Sequence, residues 1–586
     1  MEHAFLIDQR NKRKMVIGGL DKEMTLKMER KLDRAEKRQK YYHSSTGHAS
    51  SLKDVVSDTE DSNDDGDEVD VPCKRWCEVG SGKNLTEIPT VARECDRYNV
   101  SNAAGAAIAT ATLIDYGLIS PDDTTLIIDR CKLRRQRERL RTNLCEDAMQ
   151  SLSERGPLAL FFDGRKDRTL CDKVINSKGY LIEDHYVLIG EPNSQFIGHV
   201  TPKCSSSKAI CSSIIDFFSE NHIDIKDIHG VGVDGTNVNT GIHGGVIRLL
   251  EIHLNKPLQW LVCMLHLNEL PLRHILHTVD GSTSGPTSFT GVIGKMLQTC
   301  HELEIVDFMR RENGLPHRLL DVENLDLSKD QLYLYKMCDA IASGSVADSL
   351  AKKEPGPLVH SRWLTAANRI LRLYVSTQSP SNELILLTNY VLQVYAPLWF
   401  TIKMQPECYE GSKHLWKLIQ LSRFLPHEIH SVVDSCIQRN AYFAHPENLV
   451  LAMLADENAD IRKKACDLIL ASRNSNSTSL RKFQLPNINF SAQNYCEIVD
   501  WSQLSNADPP LLKICDFGEF GNSTWKEKIG KIPNHSQCVE RHVQLVTQAA
   551  AAVCGAPRRD GYIRAKLMSR KAISRYASKQ DWSFCS

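Results

Sequence analysis

Asp163 and Asp234 are the residues whose placement promises chemistry. Each is the first polar residue after a short, largely apolar run, Leu158 to Phe162 in one case and Ile228 to Val233 in the other, and each is followed by glycine. Runs of that length bounded by turn residues read as buried strands, and a glycine just beyond lets backbone or an ion approach closely. Two carboxylates at one sheet edge repel unless a divalent cation lies between them. Mg²⁺ or Mn²⁺ accepts such hard oxygen ligands and leaves room for a phosphate, which is the chemistry of metal-assisted phosphoryl transfer. Taken singly, each Asp-Gly also reads as the start of a turn. The metal-binding reading rests on their joint placement in the order of elements.

That order can be followed from Gly156. Strands are expected at Leu158 to Phe162, His185 to Gly190 and Gln195 to Val200, the last two separated by Glu-Pro-Asn-Ser turn chemistry. A helix follows with Ile210, Ile214, Phe217 and Phe218 on one face, then the strand ending at Val233, a helix through Val246, Leu249 and Leu250, and a fifth strand from Leu258 to Cys263. The order βββαβαβ predicts an α/β fold with a mixed five-stranded sheet and helices for both faces. From 279 to 444 the pattern is helical, as in SRWLTAANRILRLYV and LILLTNYVLQVYAPLWF, and predicts a large all-α insertion. The expected division is a largely disordered region over 1–86, helices over 87–150, the core over 151–278, the insertion over 279–444, final core helices over 445–475, and a poorly defined tail over 476–586.

Over roughly residues 156 to 475 the chain resembles the hAT-type DNA transposases. Asp234 with Asn237 and Asn239 resembles the second aspartate of that family, set in an Asp-Asn-rich strand end. Cys263 and His266 in LVCMLHLNELPLRH resemble its Cys-x-x-His motif, and Arg362-Trp363 resembles its Arg-Trp pair. The resemblance implies an RNase H-like core, catalytic Asp163 and Asp234 holding Mg²⁺ or Mn²⁺, and DNA as the substrate of cleavage and strand transfer. It implies Trp363 near the catalytic edge, where its flat face suits a displaced base, with Cys263, His266 and Arg362 as structural residues. It also implies a third acid after the insertion, in a Ser-x-x-Glu-Arg-like setting. The segment PENLVLAMLADENADIRKKACDLILASR departs from that pattern and offers Glu447, Asp456, Glu457 and Asp460, of which Glu457 is taken as the third catalytic residue. The departure keeps a second reading open, a non-catalytic adaptor or chromatin-associated protein that uses the same scaffold for protein interaction.

Lys+Arg and Asp+Glu both number 72, so attraction to DNA must come from local clusters. The run KLRRQRERLR at 132–141 offers Arg134, Arg135, Arg137 and Arg139 as DNA contacts, and equally reads as a solvated helix face or an import signal. RRDGYIRAKLMSRK near the end reads as a nucleic-acid tail or a surface helix. Pro89 to Ile119 predicts two helices with Ser101 as an N-cap; a plain hairpin is favoured over a helix-turn-helix because alanines cannot reach base edges. Zinc is disfavoured: His266, His274 and His277 share one helix with Cys263 at its start, and Cys73 and Cys77 lack a following His pair. Nineteen irregularly spaced cysteines point to a reducing compartment, the nucleus for a DNA partner, with a homo-oligomer admitted. No membrane span is expected, since Leu384 to Ile402 is interrupted by Thr388, Asn389, Gln393 and Pro397.

Overall fold

The computed structural model describes residues 87–573 except 121–126, 155, 172–178, 284–287, 316–326, 359–362, 475–479, 481–483, 505–507 and 515–523. The expectations for 1–86, the acidic tract and Cys73 and Cys77 among them, lie outside the described residues.

Five strands form one mixed sheet: β1 (Ala159–Leu170), β2 (Tyr180–Glu191), β3 (Gln195–Val200), β4 (Gly230–Val233) and β5 (Gln259–Val262), in the order β3-β2-β1-β4-β5. β1, β2 and β3 are antiparallel neighbours, and β4 and β5 continue the sheet parallel to β1. β1 pairs with β2 along its whole length but with β4 only over 159–161, so the first two strands run on beyond β4 as a ribbon. Alternation sorts the side chains: Ala159, Phe161 and Leu261 enter the core on one face, and Leu160, Phe162, Val231 and Val262 enter the core on the other. Phe161 lies over β4, where a Cβ on Gly232 would stand 2.2 Å from its ring. The Gly-Val-Gly-Val of β4 is therefore a packing requirement.

Helices of eight or more residues begin with α1 (Pro89–Tyr98), α2 (Asn102–Asp115) and α3 (Arg130–Glu154). One sheet face packs α4 (Ser207–Glu220) and α5 (Val246–Leu254); Ser206 caps α4 by accepting from the Ala209 N–H, and Ile210, Ile214 and Phe218 are its buried stripe. After β5 come α6 (Met264–Asp280), α7 (Lys329–Ser343), α8 (Trp363–Tyr374), α9 (Asn382–Tyr390), α10 (Ala396–Met404), α11 (Gly411–Ser422), α12 (His427–Asn440), α13 (Pro446–Leu454) and α14 (Ala459–Asn474). The stretch Asn382–Met404 is long and apolar enough to cross a membrane by composition, and it is mostly buried inside this helical body.

The chain end overturns the expected layout. The helix lying across β1 and β2 is α15 (Gln537–Ala552), with α16 (Ala556–Ile573) after it, whereas α13 meets the sheet at β5, where Asn448 bonds Gln259 and the Trp260 carbonyl, and α14 packs on α13. The insertion thus runs on past 444, and the region expected to be a poorly defined tail completes the core. α15 buries Val539, Leu545, Val546 and Ala549, an apolar stripe present in the sequence.

Two basic runs prove to be partly internal. Asp96 on α1 is fully buried and receives Arg137 Nε at 2.7 Å and Arg141 at 2.8 and 3.0 Å from α3; Arg137 also donates to Asn102 Oδ1 at 2.7 Å. Arg137 is therefore withdrawn from the DNA contacts, because a buried carboxylate without cations would be too costly. Arg139 pairs with Glu87 at 2.9 Å on the surface, Arg134 is half-buried, and Arg135 is exposed. In α16 the residues Arg559, Arg564 and Lys566 are buried, and Arg564 donates to the carbonyls of Phe196 and Ile197 on β3 at 2.9 and 2.6 Å. Gly561 lets α16 cross α3, since a Cβ there would stand 2.5 Å from Arg141 Cβ. The terminal run is a packed helix, which corrects both the nucleic-acid tail and the surface helix.

Asp96→Ala should cost about 3–5 kcal/mol by taking the carboxylate from two guanidinium groups that the fold has packed around it. Urea unfolding of wild type and variant measures this, and a loss below about 1 kcal/mol would show that the ion cluster does not anchor the α1–α3 unit.

Candidate functional site

The site is set by register. β1 and β4 pair with Ala159 beside Gly230 and Phe161 beside Gly232, so two residues further on Asp163 comes level with Asp234, and both belong to the face that carries Phe161. Asp163 sits inside β1 where the strand leaves β4 and continues with β2 alone, opposite Val187. Asp234 follows β4 directly. Cys263 follows β5, its N–H donating to the Val233 carbonyl at 2.8 Å. Three parallel strands therefore deliver Asp163, Asp234 and Cys263 to one edge.

The two carboxylates are held differently. Asp234 Oδ1 accepts from Thr236 N at 3.2 Å, Thr236 Oγ1 at 2.7 Å and Asn239 Nδ2 at 2.7 Å, so three donors of the DGTNVN turn converge on one oxygen. Asn239 is buried and Asn237 exposed; the next residue, Thr240, accepts from the Tyr442 hydroxyl at 2.8 Å. Asp163 receives only its neighbour's amide, Gly164 N at 2.7 Å. Burial and then the charge of Asp234 push the Asp163 carboxyl up to about 7, with Glu540 adding to the rise. Burial, helped by Asp184, Asp163 and Asp234, pushes the nearby Tyr186 hydroxyl up to about 12.

Glu540 is the acid that the sequence reading missed. The start of α15 is tied to the strand ends: Met264 N donates to the Asn534 carbonyl at 2.9 Å, and Ser536 N donates to Cys263 Sγ at 3.3 Å. Glu540 lies in the first turn of α15, exposed, on the helix that crosses β1 and β2. Its charge also acts on Cys263, whose thiol burial raises to about 11. The apolar spacing around Glu540 is the signal of its helix that the sequence carries.

The expected third acid is placed elsewhere. Glu457 is exposed in the turn before α14, its carbonyl capped by Arg462 at 2.6 Å; Asp456 accepts from the Tyr495 hydroxyl at 2.5 Å. Asp460 is exposed, and Glu447 is buried against His445. Of the acids considered, Asp234 and Glu540 are the ones whose charge reaches Asp163.

Cys263 is buried and holds the start of α15, while His266 is half-buried beside the Asp234 turn: a Cβ on Gly235 would lie 3.4 Å from His266 Cδ2 and 3.6 Å from Asn440 Oδ1. Burial lowers the His266 pKa, and Asp234 opposes that shift. Trp363 opens α8 and is half-buried against the core of the helical body; Arg362 lies outside the described residues. Among the described residues no three His, Cys, Asp or Glu side chains are grouped to hold one ion. The donor set at the edge is thus two hard carboxylates in mutual repulsion, which fits Mg²⁺ or Mn²⁺ better than zinc.

No protein-family profile and no curated protein matches the chain. Among solved structures it is similar to the Drosophila P element transposase strand transfer complex, at 12% identity and a TM-score of 0.28, over 84% of this chain and 92% of that one.

The shift on Asp163 predicts a pH-dependent stability. Between pH 3.8 and about 7 the folded chain keeps a proton that the unfolded chain releases, so stability falls as pH rises through that window and the cost is complete above it. Asp163→Asn should therefore stabilise the metal-free protein by roughly 1–3 kcal/mol at pH 8, an advantage that vanishes below about pH 4. Unfolding in EDTA at pH 8, 6 and 4 measures it, and a difference that does not change with pH would refute the strained carboxylate.

Proposed function

We propose that the sheet is an RNase H-like core of the kind hAT-type transposases use, and that the chain performs divalent-metal-dependent phosphoryl transfer on DNA. The observation that carries this reading is the register-matched pair Asp163 and Asp234 on parallel β1 and β4, with Asp163 raised to about 7. The mixed sheet and the long helical insertion between β5 and α15 agree with it.

Mg²⁺ or Mn²⁺, when bound, supplies Lewis acidity toward a phosphate and a water of lowered pKa. Asp163 and Asp234 would hold the ion. Asp234 keeps Oδ2 for this role because Oδ1 is committed to Thr236 and Asn239. Asp163 must first release its proton, so affinity for the ion should fall as pH drops below about 7. Glu540, from the α15 start that Cys263 and Asn534 fix, is the third acid of this reading. A DNA substrate carries with it residence in the nucleus, and joining two DNA ends calls for a second copy of the chain.

A second reading, a non-catalytic scaffold for protein interaction, draws on one observation: among the described residues no three acids converge on a single point. The two readings separate cleanly. Mn²⁺ should raise the melting temperature of wild type by several degrees at saturation and that of Asp234→Asn far less. Glu540→Gln should keep part of the shift and lose more than about 100-fold of Mn²⁺-dependent DNA cleavage, while Glu457→Gln should match wild type. Equal shifts in wild type and Asp234→Asn would overturn the metal site. Cleavage intact in Glu540→Gln would overturn its role, and a wild type that binds Mn²⁺ without cutting DNA would favour the scaffold.

A further inference from the structure

The end of α12 and the outer half of α6 lie side by side, and both helices reach the Asp234 turn. On α6, His266, Arg273 and His277 are spaced at seven and four residues, so they form one stripe that begins beside Gly235 and leads away from it. On α12, Asn440 stands on the other side of Gly235 and Arg439 precedes it. Arg273, His277 and Arg439 are exposed, with His274 half-buried between them.

Among the described residues no carboxylate is bonded to this cluster. Among the described residues the side chains of Arg273, His274 and His277 have no hydrogen-bond or ion-pair partner, and Arg439 donates only to the Ser435 carbonyl at 3.1 Å. Of the four acids on the two helices, Asp434 pairs with His430 at 3.2 Å and Asp280 accepts from the amides of Ile293 and Gly294 at 2.8 and 2.6 Å, Glu428 lies at the far end of α12, and Glu269, one turn before Arg273, is half-buried. After burial, the charges of Arg439, Arg273 and His277 are what lower the His274 pKa, so these groups repel one another. Exposed, grouped cations with no bonded acid are the footprint of a polyanion. Such a track is also required physically, because the acid pair by itself repels phosphate.

We propose that the groove between α6 and α12 is the track of a single DNA strand, with Arg273 and Arg439 gripping phosphates next to the one presented to Asp163 and Asp234. The inference rests on the phosphoryl-transfer reading of the acid pair, but strand binding can be measured without catalysis. The test uses the full chain in EDTA and a fluorescein-labelled single-stranded DNA of about 20 nucleotides, read by anisotropy across a salt series. The Arg273→Gln, Arg439→Gln double variant should bind at least about 10-fold more weakly, with the slope of log affinity against log salt flattened by about 1.4, two phosphates at ~0.7 each. The Lys versions should restore most of the slope, and Asp163→Asn with Asp234→Asn should bind at least as well as wild type. Unchanged affinity and slope in the Gln variant, a loss confined to duplex DNA, or a wild type with no affinity for the strand would each overturn the track. The Mn²⁺-induced melting shift reports on the acid pair independently: a lost track with the shift intact leaves the phosphoryl-transfer reading standing, and the reverse outcome leaves the track standing.

Discussion

Everything at the sheet edge follows from two negative charges held at one level by strand register. The β1–β4 pairing leaves Asp163 and Asp234 no way to separate without breaking the ladder, and the ladder is held by Phe161 lying across the glycine of β4. The surroundings treat the two acids unequally. Three donors gather on one oxygen of Asp234, while Asp163, half-buried with one neighbouring amide, carries the unrelieved part of the repulsion. That repulsion, added to burial, is what raises the Asp163 carboxyl.

The same electrostatic logic, with the sign reversed, holds the periphery together. Arg137 and Arg141 surround Asp96, and the carboxylate of Asp560 meets His199 at 2.5 Å while Arg564 closes on the carbonyls of the edge strand. α16 thereby covers the exposed side of β3 and joins α3 to the sheet. This is one way an edge strand is protected from pairing with foreign chains.

What the sequence revealed and what it hid divide along a physical line. Strands announce themselves by short apolar runs and helices by spaced ones, so the βββαβαβ order and both aspartates were readable, as was the Ser101 cap, which accepts from Ala104 N at 3.0 Å. Pairings between residues far apart in the sequence leave no local mark. Nothing in KLRRQRERLR shows that Asp96 waits for two of its arginines, and nothing in RRDGYIRAKLMSRK shows that β3 carbonyls wait for Arg564. Glu540 was hidden differently: its helix has a legible stripe, but it stands beyond a Ser-, Asn- and Pro-rich segment that reads as the end of the ordered fold.

The position of α15 and α16 has a consequence for how the protein is made. The first three strands leave the ribosome more than roughly 300 residues before the two helices that cover them, a wait of about 15–70 seconds at about 5–20 residues per second. During that interval the Phe161 face and the β3 edge are bare, and the nascent sheet is a natural client for chaperones. A ribosome that stops early would release a product with both aspartates and no Glu540, its sticky edge marking it for disposal. Covering of the sheet is thus coupled to synthesis of these two late helices.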